Sequence, residues 1–137
     1  VSAQGHYPGQ EKVAMKTPQK FLAVERNGSV FCVRLLQTRI EDHQMEELGA
    51  EVTRLIDEEN ARKIVFNLGP DDPDCLISVF LAKLINLQRR LNALGGTLAL
   101  AHLSPDTREI FRIAGIEKFF RFYPDQQAAL QALEKAD

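Results

Sequence analysis

Residues Ser78 to Leu133 read SVFLAKLINLQRRLNALGGTLALAHLSPDTREIFRIAGIEKFFRFYPDQQAALQAL, and the punctuation of this stretch decides the fold. An amphipathic segment runs to Leu94. Leu81, Leu84, Ile85, Gln88 and Leu91 share one helical face, and Lys83, Asn86, Arg89, Arg90 and Asn92 fall largely on another. Gly95 supplies a helix stop, Gly95-Gly96 a turn, and the apolar run Leu98 to Leu103 a strand. Ser104 is placed to cap a second helix that opens on Pro105, where a missing N–H costs nothing, and Asp106 adds a favourable charge to its first turn. Ile110, Phe111, Ile113 and Ala114 are expected to bury the inner face of that helix. Gly115 then ends it, Phe119 to Phe122 reads as a short edge strand, and Asp125 to Lys135 as a last helix rich in alanine and leucine.

Upstream the same logic gives a hairpin and one more helix and strand. Phe21 to Arg26 and Val30 to Leu36 are β-rich runs separated by the turn signal Asn27-Gly28. From Asp42, the residues Met45, Leu48, Val52, Leu55 and Ile56 line one helical face, with Glu46, Glu47, Glu51, Arg54, Asp57 and Glu58 spread largely around the rest. That helix is expected to end near Glu59 or Asn60. Lys63 to Leu68 is a nearly continuous apolar run, as a strand covered on both faces requires, and Gly69-Pro70 ends it. The order ββαβαβαβα predicts an α/β fold: a mixed, mostly parallel sheet faced by helices, with the opening hairpin as its antiparallel part.

A chain of 137 residues suits one core, here placed in 21–135. Residues 1–20, with Gly5, Pro8, Gly9 and Pro18 and without the apolar stretch of a signal peptide, read as a flexible tail. No apolar run approaches the roughly 20 residues that cross a bilayer. With 17 basic and 19 acidic side chains the net charge is −2, so nothing draws the chain toward nucleic acid or anionic lipid. Cys32 and Cys75 lack metal or redox spacing, which points to a reduced, cytoplasmic protein.

Little in the sequence suggests bond-making chemistry. His6, His43 and His102 have no metal-ligand spacing, and there is no nucleophile elbow, phosphate loop or dinucleotide fingerprint. No cofactor is implied. Asp71, Asp72 and Asp74 form the densest carboxylate group, but two prolines and the lack of a following acidic ligand favour a solvated loop over a cation site. Ser78 sits where that loop enters a helix, so its hydroxyl either caps backbone N–H groups or faces a kinase; phosphorylation there adds about −1.5 to −2 charges.

The ordered set Gly95-Gly96, Leu98, Leu103-Ser104-Pro105, Phe111, Gly115-Ile116, Phe119-Phe120, Tyr123 and Ala129-Leu130 resembles the STAS domain family, the fold of bacterial anti-sigma-factor antagonists such as SpoIIAA. The likeness extends from about Phe21 to Leu133. It implies a non-enzymatic signalling or scaffold module that binds a partner protein, possible partners being an anti-sigma-type serine kinase or a larger signalling assembly. Aligned on Gly95-Gly96, the family's phosphoacceptor segment falls on Ile77-Ser78-Val79-Phe80-Leu81, where only Ser78 and Leu81 agree with its pattern. Ile77, Val79 and Phe80 replace an acidic residue, a hydroxyl and a glycine, and Asn67 stands where the preceding strand often carries Asp. Ser78 is thus the phosphoacceptor candidate, and Asp71, Asp72, Asp74, Ile77, Val79 and Phe80 the expected partner surface. A switch requires phosphate on Ser78; a constitutive scaffold needs only the apolar surface, and the substitutions favour it. Val79 and Phe80 form an interaction patch if exposed and pin the helix if buried. A small-molecule or nucleotide-binding regulatory domain is the alternative, resting on the tendency of open α/β sheets to bind ligands beyond their strand C-termini.

Overall fold

The computed structural model describes residues 20–70 and 78–135, with Ser78 described by its backbone alone. Five strands form one sheet: β1 (Leu22–Asn27), β2 (Val30–Leu35), β3 (Lys63–Asn67), β4 (Thr97–Ala101) and β5 (Arg121–Tyr123). Four helices accompany them: α1 (Met45–Glu58), α2 (Ser78–Ala93), α3 (Pro105–Ile113) and α4 (Gln126–Lys135). The strands lie side by side in chain order, β1 antiparallel to β2 and β2 through β5 parallel, so the mixed sheet expected from the sequence is present.

Alternation along the parallel strands sorts side chains by size. Phe31, Val33, Ile64, Phe66, Leu98 and Leu100 project into a large core shared with α1, α2 and Phe111 of α3. Val30, Cys32, Val65, Ala99 and Ala101 face the other way, onto Ala129, Leu130 and Leu133 of α4. The two faces thus receive different cover: three helices over bulky residues and one short helix over small ones. Helix ends follow the expected chemistry. Gly95 adopts φ 81°, which lets Gly96 N–H donate to Leu91 O and Gly95 N–H to Asn92 O, closing α2. Ser104 caps α3, its hydroxyl oxygen accepting from Thr107 N–H at 3.1 Å.

Several local expectations are corrected. The hairpin loop is Gly28-Ser29 rather than Asn27-Gly28, because Asn27 pairs with Val30 as the last rung of the ladder. Ile113, expected inside, is 73% exposed; Thr107 and Phe111 are the buried residues of α3. The last strand begins at Arg121, since Glu117–Phe119 form a turn of 3-10 helix.

Glu51, expected among the polar residues around α1, is only 2% exposed. Its carboxylate accepts from the backbone N–H of Phe21 (2.9 and 3.0 Å), Lys20 (2.8 Å) and Leu22 (3.2 Å), so three donors at the start of β1 are tied to α1. Gln88 makes a matching clip at the other edge. Its amide oxygen accepts from Leu98 N–H (3.1 Å) and its amide nitrogen donates to Phe119 O (2.6 Å), joining β4 and the approach to β5 where the ladder has not yet begun.

Replacing Gln88 by Leu strands both groups, and a buried unpaired donor or acceptor costs about 1–3 kcal/mol. Urea unfolding of Gln88→Leu is expected to show a loss in that range, with faster hydrogen exchange at the Leu98 amide; unchanged stability would show that the clip contributes nothing. Glu51→Gln turns one acceptor toward the N–H cluster into a donor. We expect it to destabilise by about 2 kcal/mol and to raise exchange at Phe21 and Leu22 ahead of the rest of the sheet.

Candidate functional site

The C-terminal end of β3 is held by its own side chain. Asn67 Oδ1 accepts from Gly69 N–H (3.0 Å), the local closure that a short amide favours, and Asn67 Nδ2 donates to Gln126 Oε1 (3.0 Å) at the start of α4. Leu68 N–H donates to Ala101 O (3.0 Å), carrying the β3–β4 pairing one residue past the strand. Gly69 lies directly against His102: a Cβ there would sit 2.5 Å from the His102 carbonyl oxygen and 2.6 Å from its Cγ, so only glycine fits. His102 itself has φ 65°, a left-handed conformation that turns the chain out of β4 toward the Ser104 cap.

The chain leaves this anchor at the exposed Pro70 and is described again from Ser78, the first residue of α2. Asp71, Asp72, Asp74 and Ile77, together with the Ser78 side chain, lie outside the described residues. The expected pair Val79 and Phe80 is divided by the helix. Val79 is 47% exposed, and Phe80 is 2% exposed, so Phe80 is no part of a partner surface. The reason is helical geometry: Phe80 joins Leu84, Leu87 and Leu91 on the inner side, and its ring meets Phe66 of β3 edge-on with centroids 6.2 Å apart. Phe80 therefore pins the first turn of α2 to the strand that precedes the loop. The sequence marked Asn67 only as a departure from the family's Asp; its hydrogen bond from Gly69 N–H has a local signal in the Asn-x-Gly spacing, while the link to Gln126, 59 residues on, has none.

Beside the anchor, Arg34, Leu35, Leu36, Gln37, Thr38 and Pro70 edge a shallow cavity of about 170 Å³ whose rim includes the exposed Leu36. A second cavity, of about 370 Å³, lies at the ends of β4 and β5 among Leu103, Ser104, Pro105, Phe122 and Tyr123. Arg108 borders it, but its guanidinium lies 3.8 Å from the Phe122 ring centroid and 3.4 Å from Glu117, so that cation is engaged within the protein. Both cavities lie beyond strand C-termini, where the ligand-binding alternative placed a site, and because β2 to β5 follow chain order neither sits at a topological switch point.

Cys32 is buried beneath α4, and burial pushes its thiol up to about 11 despite an opposing contact from Asn27 Nδ2 at 3.8 Å; it is protonated at neutral pH and a poor nucleophile. No group of histidine, cysteine or carboxylate side chains among the described residues is arranged to hold a metal ion, and no helix among them is long and apolar enough to cross a membrane.

Comparison with solved structures agrees with this architecture. An anti-sigma-factor antagonist (STAS) domain protein from Planctomyces limnophilus superposes with a TM-score of 0.71 at 19% identity, over 83% of this chain and 98% of that one. An anti-sigma factor antagonist from Mycobacterium paratuberculosis gives 0.69 at 22% identity, over 83% and 93%. Unphosphorylated SpoIIAA, an anti-sigma factor antagonist, gives 0.66 at 18% identity, over 85% and 99%, and the phosphorylated form from Bacillus gives 0.61 at 19%, over 81% and 98%. These likenesses establish the fold. The sequence profile of the STAS domain matches residues 21–129, nearly all of the sheet and its covering helices, and the chain belongs to the STAS domain family.

Proposed function

We propose that this STAS domain is a non-enzymatic, cytoplasmic regulatory module that binds a partner protein through the end of β3 and the first turn of α2. The observation that carries the reading is the division at that turn. Phe80 is locked into the core while its neighbour Val79, at 47% exposure, presents an apolar side chain to solvent next to Ser78, the candidate phosphoacceptor. A helix start fixed from below and apolar on top is a rigid platform, and rigidity lowers the ordering cost of association. The family and the names of its solved relatives support a protein partner, with an anti-sigma-type serine kinase as the first to test. Asp71, Asp72, Asp74 and Ile77 are proposed to extend the same surface, and Ser78 to be its point of control.

Phosphate on Ser78 would place about two negative charges beside Val79, against an apolar contact but close to a helix N-terminus that tolerates anions. Partner binding is therefore the property to be switched, with little effect on folding. The experiment is an affinity measurement against the anti-sigma-type kinase encoded nearest this gene. Val79→Asp is expected to weaken binding at least tenfold with an unchanged melting temperature, whereas Phe80→Ala is expected to lose about 3–5 kcal/mol of stability. Equal binding by wild type and Val79→Asp would exclude this surface. Incubation with the kinase and ATP followed by intact-mass measurement separates switch from scaffold: a switch gains one phosphoryl group that Ser78→Ala does not.

A further inference from the structure

The strand order leaves β1 and β5 at the edges of the sheet, and the two edges differ. β5 has only 3 residues, Arg121–Tyr123, and offers little to pair with. β1 has 6, Leu22–Asn27, with no proline among them, and proteins ordinarily blunt an edge of that length because its unpaired backbone groups recruit further strands. Leu36 N–H donates to Phe21 O at 2.8 Å, which sets the alternation of the antiparallel ladder: Ala23, Glu25 and Asn27 bond to β2, and Val24 and Arg26 turn their backbone groups away from it. No strand among the described residues takes up that row. Glu51 holds the start of β1 through Lys20, Phe21 and Leu22, so the edge is fixed before any further strand arrives.

Charge complementarity identifies the occupant. Glu25 and Arg34 share the α4 side of the sheet with Cys32, Glu25 half-buried opposite Cys32 and Arg34 exposed opposite Ala23, and neither has a hydrogen bond or ion pair among the described residues. When a second β1 runs antiparallel to the first with Val24 facing Val24 across a two-fold axis, Glu25 of each copy comes opposite Ala23 of the other. Arg34 stands next in that row. It and Glu25 of the second copy then flank the small Ala23 side chain, about 10 Å apart at Cα, a span that the two long side chains close between them. The symmetry makes this contact on both sides of the axis, while Val24 N–H and C=O pair reciprocally and Arg26 N–H donates to Leu22 C=O of the second copy. Sliding the strands so that Val24 faces Arg26 sets Glu25 directly against Glu25, and like charges opposite one another destabilise a strand pair. A net charge of −2 puts little general repulsion between copies. We infer that β1 is a self-association edge, through which a second copy of this chain extends the sheet across a two-fold axis with Arg34 of each copy paired to Glu25 of the other. The inference does not depend on the partner surface proposed at Val79, since the edge shares no residue with it.

The test is translational diffusion of the full chain by NMR at increasing concentration, up to about 1 mM, the weak limit of specific association. Diffusion is expected to slow toward that of a dimer, and amide exchange of Val24 and Arg26 to slow with it, while Ala23 and Glu25, already bonded to β2, change little. Val24→Pro removes a donor that the β1–β2 ladder does not use and is expected to stay folded and monomeric. The charges give a second route that leaves the strand intact. Glu25→Arg and Arg34→Glu are each expected to weaken self-association roughly tenfold with the melting temperature unchanged. An equimolar mixture of these two variants is expected to associate as wild type does, because opposite charges then face each other at both contacts, a result that no interaction within one chain can produce. A wild type that stays monomeric at about 1 mM, a dimer whose Val24 and Arg26 amides gain no protection, or a mixture that associates no better than either variant alone overturns the inference.

Discussion

The parallel core, β2 to β5, must be covered on both faces, and the chain meets that demand with residue size. Parallel strands are joined by crossovers that lay helices against the sheet, and a helix can approach only as closely as the side chains beneath it allow. Ala99 and Ala101 of β4, with Val65 and Cys32 beside them, make a shallow floor that the ten-residue α4 covers with Ala129, Leu130 and Leu133. The opposite side of the same strands carries Phe31, Ile64, Phe66, Leu98 and Leu100, and this bulk requires the combined surface of α1, α2 and α3. Cys32 belongs to this logic: it serves as a small apolar residue, and its raised pKa follows from the dryness of the α4 face rather than from any role in chemistry.

A five-stranded open sheet has two edges, and at each edge a buried polar side chain takes over where backbone pairing is missing. Glu51 collects N–H groups at the start of β1, and Gln88 spans Leu98 N–H and Phe119 O where β5 falls short of the length of β4. Buried backbone groups must be paired, and these two side chains do so from helices that already pack on the sheet. The edges are thereby coupled to the core. Loosening α1 frees the first strand, and loosening α2 frees the approach to the last.

The elements of the fold were legible because they are written in local chemistry. Gly95 after an amphipathic run, Ser104-Pro105-Asp106 before another, and the alternation along Lys63 to Leu68 each act within a few residues. The failures share one cause. Glu51 reads as a solvent residue by periodicity, yet it is buried by donors about 30 residues away, which no local pattern can announce. Ile113 is the mirror case, an apolar residue that falls at the end of a short helix beyond the reach of the sheet. At the candidate site the same division holds. Ser78, Val79 and Phe80 were identifiable as a set, but which of them faces inward depends on Phe66 of β3, and that became visible only with the strand in place.

This arrangement explains how the segment between β3 and α2 can depart from its family while the fold persists. Its entry is fixed by Asn67, through Gly69 N–H and Gln126, and by the contact of Gly69 with His102; its exit is fixed by Phe80 on Phe66. All of these constraints are made by residues that flank the segment, among the described residues. Val79, on the exposed side of the first helical turn, is free to vary without drawing on the interactions that hold the sheet. Phe80 is the exception, since its ring is a large apolar contact of the core. The first turn of α2 thus combines a stiffened base, Phe80 on Phe66, with an apolar residue, Val79, turned to solvent.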